Sequence, residues 1–189
     1  MFPFDDYVIC AQGFQESDYD SRFTYIVNSP TKLGWVKSRN ELLKYFYNSD
    51  ADYAFWIDAN SAVSKSSVND VLTIIDAIKH GKLNNCDAIF STLGMWISQD
   101  RMDARSSNDY LTHVTLIPAK NNKSYNWMHG LIIKNFKKYY NEELYIDTRC
   151  DTLKGLAEDV YFARLLRWFK ACYVAPSVTI TKPNSKGST

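Results

Sequence analysis

Histidine, cysteine, proline and glycine are all scarce in this 189-residue chain, and no long apolar run occurs in it. Its three histidines, His80, His113 and His129, are far apart in sequence, which excludes a local His-x-x-x-His metal pair. Cys10, Cys86, Cys150 and Cys172 form no C-x-x-C pair and have no histidine at zinc-ligand spacing, so reduced, mostly buried thiols are expected. The seven glycines make neither Gly-x-x-x-x-Gly-Lys nor Gly-x-Gly-x-x-Gly, which counts against a P-loop nucleotidase and a nicotinamide dehydrogenase. A Gly-x-Ser-x-Gly elbow for a serine hydrolase is also missing. Nothing approaches the roughly 18 to 20 apolar residues of a membrane span. The start, Met1-Phe-Pro-Phe-Asp-Asp, has no basic n-region or apolar h-region, so a cytoplasmic protein is expected. With 22 basic against 21 acidic side chains, the net charge of +1 argues against a dominant electrostatic partner such as bulk nucleic acid.

What the chain does have is apolar material, 46% hydrophobic and 15% aromatic, enough for one sizeable core. Short β-branched and aromatic runs at 7–11 and 23–27 predict two strands around a polar loop. Residues 32–47 follow at near-helical spacing. Tyr-Ala-Phe-Trp-Ile at 53–57 is apolar on both faces, as in a strand buried within a parallel sheet. Ser67-x-x-Asp70 resembles a capping box opening a helix with an apolar stripe through Val68, Val71, Ile74 and Ile78, and Gly81 closes it. Strands are expected at 87–92 and 112–117, with a polar loop at 99–109 between them. A basic helix at 132–140, an amphipathic helix at 158–169 and strands at 173–175 and 178–181 complete the reading.

Strands alternating with helices point to parallel βαβ units and a single three-layer α/β domain over 1–182, with a polar tail at 183–189. In such sheets ligands sit beyond the carboxyl ends of the strands. Gln12, Asn28 and Asp58-Ala-Asn60 each follow a predicted strand, so one rim is expected to carry them all.

Asp58 and Asn60 carry oxygens at i and i+2, suited to a hard divalent cation or a ribose hydroxyl, although both residue types are also favoured in plain turns. Glu158-Asp159 opens a helix, where carboxylates gain from the helix dipole and where one kept ionised could act as general base. Arg39, on the polar side of its helix, offers a planar fork for a diphosphate or a base edge, or an ordinary ion pair.

In this order the pieces resemble a known family. Arg39-Asn40 on a helix, then Phe-Trp-Ile-Asp58-Ala-Asn60, is similar to the "ARN … FLDSD" signature of GT-A fold, nucleotide-sugar-dependent glycosyltransferases, especially glycosyltransferase family two. His129-Gly130-Leu-Ile-Ile looks like the segment before their acceptor site. Gly155-Leu-Ala-Glu158-Asp159-Val-Tyr-Phe-Ala-Arg164-Leu resembles their "GEDxxxxxRL" stretch. The likeness runs from Tyr7 to about Lys182.

The resemblance implies a Rossmann-like three-layer α/β/α sandwich with a mostly parallel central sheet. It implies Gln12 and Asn28 near the nucleobase, Arg39 near the base or diphosphate, and Asp58 and Asn60 on the ribose and, through Mg²⁺ or Mn²⁺, the diphosphate. Asp159 matches the catalytic base with Glu158 beside it, while His129 and Gly130 fall on the acceptor side. Two departures weaken the metal site: Asn60 stands where the family has Asp, and Lys182 follows the final strand where a histidine is often found. Lys182 would then offset the diphosphate charge, making the metal weak or dispensable. The implied reaction is inverting transfer from a nucleoside-diphosphate sugar, UDP-linked by default, to an acceptor hydroxyl. The acceptor stays open among a glycan, a protein, a lipid-linked intermediate and a hydroxylated DNA base. Lys120, Lys123, Lys134, Lys137, Lys138, Lys182 and Lys186, with Tyr125, Trp127, Tyr139 and Tyr140 among them, suggest a basic aromatic surface there, a solvated lysine face being the plain alternative. A sugar nucleotidyltransferase and a non-catalytic nucleotide-sugar-binding module are the alternatives.

Overall fold

The computed structural model describes residues 4–59, 61–83, 86–93, 116–119, 130–151 and 158–181. It is a mixed α/β protein with four α-helices and eight strands among those residues. Packing divides the chain into two compact units, each assembled from two stretches: Met1–Asp52 with Asn135–Phe162, and Tyr53–Lys134 with Ala163–Thr189.

In the first unit, β1 (Val8–Gln12) and β2 (Thr24–Ser29) pair in parallel. The helix α1 (Trp35–Tyr47) follows, burying Val36, Leu43 and Phe46. It starts three residues later than its apolar period suggests. Gly34, at φ 86°, occupies a conformation that a right-handed helix cannot include. Asn135, completely buried, organises the second stretch of this unit. Its Nδ2 donates to the carbonyls of Phe46, Ser49 and Ala51, and its Oδ1 accepts from Lys138 N–H, capping the short helix α3 (Phe136–Tyr140).

The second unit holds a six-stranded sheet of β3 (Tyr53–Trp56), β4 (Ala62–Val63), β5 (Ala88–Leu93), β6 (Ile117–Pro118), β7 (Leu131–Lys134) and β8 (Cys172–Thr181). The order is β3-β7-β5-β8-β4, with β6 also on β8. The expected mostly parallel sheet is not what forms: only β5–β8 is parallel here, and the other described pairings of this sheet are antiparallel. β7 inserts against the direction of β3 and β5 and leaves β3, β5 and β8 running the same way, while β4 and β6 run against β8. Accordingly β3 is not buried within a parallel sheet. It ends the hydrogen-bonded order, and only Trp56 of its four residues is buried.

The basic helix expected at 132–140 is likewise corrected. Leu131, Ile132 and Ile133 are buried on both faces as strand β7, and only 136–140 is helical. The helix α2 (Lys65–Lys79) packs on β8 with Val68, Val71 and Ile74 inward. Its cap is Ser64, whose hydroxyl accepts Ser67 N–H at 3.1 Å; the capping box expected at Ser67 is one turn too late. Ser67 is 1% exposed and its Oγ instead accepts Thr179 N–H from β8 at 3.0 Å. The final two expected strands are one, β8, interrupted between Val174 and Thr179 by a register shift around Pro176, which has no N–H to give a ladder. α4 (Glu158–Phe169) has the bounds its period predicts and spans the division between the units. Most of the strand expected at 112–117, the loop at 99–109 and the tail lie outside the described residues. No helix among the described residues is long and apolar enough to cross a membrane.

Candidate functional site

In the first unit, Gln12 closes β1 opposite Ser29 at the end of β2, so Gln12 and Asn28 share the carboxyl end of one parallel pair. Gln12 Oε1 accepts Leu33 N–H at 2.9 Å, tying this end to the loop that leads into α1. Gly13 N–H donates to Ser29 carbonyl at 2.7 Å. Between Cys10↔Ile26 and Gln12↔Ser29, two steps of β1 face three of β2, a bulge with Val27 at φ 50°. A left-handed conformation costs a β-branched residue about 1–2 kcal/mol. The bulge turns the strand just before Asn28, whose side chain lies outside what is described.

Arg39 is not on a solvated helix face. It is 5% exposed, and its guanidinium carbon lies 5.6 Å from the ring centroid of Trp35, one turn earlier and 66% exposed. Asn40 is a strut: Nδ2 donates to Ile146 carbonyl at 2.8 Å and Oδ1 accepts Ile146 N–H at 2.9 Å. An open cleft of about 380 Å³ between β2 and α1 is lined by Ile26, Val27, Glu41, Lys44, Tyr45, Asn48 and Ser49 and includes none of the candidate residues.

In the second unit, the common direction of β3, β5 and β8 sets their carboxyl ends, and the amino end of β7, on one side of the sheet. Asp58 follows β3 there, half-buried in a turn closed by Ser61 N–H on Asp58 carbonyl at 2.9 Å. Gly130 precedes β7 at the same end; its N–H donates to Trp56 carbonyl at 2.7 Å and its carbonyl accepts Ser91 N–H at 3.1 Å. Gly130 has φ 71°, and an added Cβ would collide with Ser91 Oγ and Cβ and Ile180 Cγ1. Close packing therefore demands glycine here in addition to any approach by an acceptor. Among the described residues the turn after β3 offers oxygen donors, the Asp58 carboxylate and Ser61 Oγ, a buried atom with no partner among those residues. Such donors fit Mg²⁺ or Mn²⁺.

Glu158 and Asp159 are the first two residues of α4, where the helix dipole favours carboxylates; their side chains lie outside what is described. Asn60, His129 and Lys182 lie outside the described residues as well. The chain matches no protein-family model, and neither a curated protein nor a solved structure matches it significantly.

Three lysines of the expected basic surface are committed to acids. Lys134 pairs with Asp87 at 3.2 Å with both side chains about 10% exposed, Lys137 pairs with Glu143 at 2.7 Å, and Lys138 with Asp52 at 2.7 Å. Tyr139 donates its hydroxyl to the same Asp52 at 2.7 Å, which holds its pKa up at about 12. These partners follow from pairings up to 87 positions apart, which lysine spacing does not reveal. Cys86 and Cys172 are buried thiols pushed up to about 12 by desolvation, as the scattered cysteines suggested. Sequence reading missed Trp35, Val27 and Ser61. Only Trp35 left a signal, a large aromatic side chain four residues before an arginine on a helix.

Proposed function

We propose that the protein is a nucleotide-sugar-dependent glycosyltransferase of the GT-A type, a Rossmann-like α/β/α sandwich working without a membrane span in the cytoplasm. The reading is carried by one observation: the ordered motifs sit on the elements their roles require. Gln12 and Asn28 lie at the carboxyl end of a parallel pair, Arg39-Asn40 lies within α1, Asp58 comes two residues after the last residue of β3, and Glu158-Asp159 opens α4. Ligand-binding residues at the carboxyl ends of co-directional strands are the general arrangement of α/β ligand sites.

In this reading Gln12 and Asn28 flank the nucleobase and Asp58, with Asn60, faces the ribose and diphosphate. Asp159 takes the proton of the acceptor hydroxyl as the oxygen bonds to the anomeric carbon. The bond from that carbon to the diphosphate breaks on the opposite side, so the configuration inverts and the nucleoside diphosphate leaves. Lys182 offsets the negative charge that builds on it. Asp58, Asn60 and Ser61 would hold a Mg²⁺ or Mn²⁺, which when bound supplies further positive charge to the same group. Glu158 supports Asp159, and His129 and Gly130 border the acceptor, a glycan, protein or modified DNA base. The pairing of Lys134, Lys137 and Lys138 with acids favours a compact acceptor over a long polyanion.

The test is stabilisation by nucleoside diphosphates and their sugars, with and without Mn²⁺, together with sugar release. Asp159→Asn is expected to abolish transfer while leaving donor stabilisation within about 1 °C, on the mass-action relation between binding and melting. No stabilisation by any millimolar nucleotide sugar refutes the reading. Retained turnover in the variant removes Asp159 as base.

A further inference from the structure

We infer that Trp35 is the stacking platform for the donor's nucleobase, a role that rests on the glycosyltransferase reading and adds to it the group that holds the base. A tryptophan ring 66% exposed at the first position of a helix is costly to leave in water, since indole is among the largest apolar surfaces a side chain offers. Its exposure is not that of a loose side chain. Arg39, 5% exposed, sets its guanidinium 5.6 Å from the ring centroid, so a buried cation fixes the indole from within the unit. Contact with a buried group covers part of the ring, and the exposure left over means that ring surface remains open to solvent.

Position points to the occupant. The backbone two residues earlier, at Leu33, is bonded to Gln12 Oε1 at the carboxyl end of β1, and Ser29, the last residue of β2, pairs with Gln12 there. Trp35 therefore stands near the strand end that carries the Gln12 amide. Base edges need hydrogen-bonding groups and base faces need aromatic surface; the Gln12 amide offers the first chemistry and Trp35 the second.

Titration calorimetry on the full chain with UDP, GDP, ADP and inorganic pyrophosphate tests this. Loss of one stacked base weakens binding by roughly 5- to 150-fold. Trp35→Ala is expected to weaken the preferred nucleoside diphosphate by that factor, Trp35→Phe to keep it within about threefold, and pyrophosphate to bind all three proteins alike. Circular dichroism and melting of each variant establish that it is folded. If wild type binds a nucleotide and folded Trp35→Ala binds it equally, stacking on Trp35 is wrong and the donor reading survives. Equal weakening of pyrophosphate overturns stacking as the cause. Wild type binding no nucleotide at all overturns both this inference and the glycosyltransferase reading.

Discussion

Gly130 and Gly13 both have φ 71°, yet their surroundings differ completely, and the difference makes a controlled experiment. An alanine at either position is forced into the left-handed region at about 1–2 kcal/mol. At Gly13 nothing lies within 4 Å of the new Cβ, so backbone strain is the whole cost. At Gly130 the Cβ would meet Ile180 Cγ1 at 2.5 Å and Ser91 Cβ at 2.6 Å as well as Ser91 Oγ. The hydroxyl can rotate away. Ser91 Cβ cannot, because it is fixed to the backbone of β5, and relief must come from shifting strands in a fully paired region. Overpacking of that kind adds about 1–3 kcal/mol. The sum for Gly130→Ala is about 2–5 kcal/mol, or roughly 4 to 20 °C in Tm for a chain of this size. Gly13→Ala should lose about 1–2 kcal/mol and only roughly 2 to 8 °C. Calorimetric melting of the two variants reads the difference, and Ser91→Gly added to Gly130→Ala should recover part of the loss. Equal destabilisation of the two alanine variants, or no recovery, refutes the packing account of Gly130.

Asn135→Ala should cost about 2–4 kcal/mol in chemical denaturation, because it removes a helix cap and the donor to three carbonyls. Asn135→Asp should be worse, since it sets carboxylate oxygens against those carbonyls. Lys134→Met should cost about 3–5 kcal/mol by leaving Asp87, 7% exposed, with one charge partner fewer. Adding Asp87→Asn should then reduce the loss, and no relief in the double variant would count against the ion pair. Cys86 and Cys172 have folded pKa values raised from 9.0 to about 12, so the unfolded thiols release protons first. Their contribution to stability is complete below pH 9 and is lost as pH rises towards 12. In native protein at pH 8 neither should react with a disulfide reagent, and rapid labelling of either would contradict their burial.

Periodicity carried the helices well where one face is buried: α2 shows its Val68, Val71 and Ile74 stripe, and α4 starts and ends where its pattern says. It failed at β7, because Leu131–Lys134 is flanked by strands on both sides and its three apolar residues are all buried, and a short apolar run of that kind has no period to read. Strand direction was equally hidden, since nothing in Ile132 or Ile133 records that their neighbours run the other way. Arg39 and Asn40 were legible as a pair, but not that one is buried on Trp35 and the other braces Ile146, 106 positions away. Of the candidate site, the attachment of Gln12, Asn28, Asp58 and Asp159 to element ends was readable from turn and cap chemistry. The fixing of Trp35 by a buried cation depends on burial, which residue spacing alone does not carry.

The Pro176 interruption lets one strand accept two partners on the same edge, β6 against Tyr173 and Val174 and β4 against Ile180 and Thr181. Because β8 is the last of the described strands, three earlier described strands, β4, β5 and β6, wait for it. Asp87 meets Ala171 across 84 positions and Ser67 meets Thr179 across 112. During synthesis β5, with Ile89 and Phe90 destined for full burial, emerges long before its parallel neighbour exists. The closing step of this unit is thus non-local and slow relative to helix formation, and in that interval its unsatisfied edge is exposed to other nascent chains.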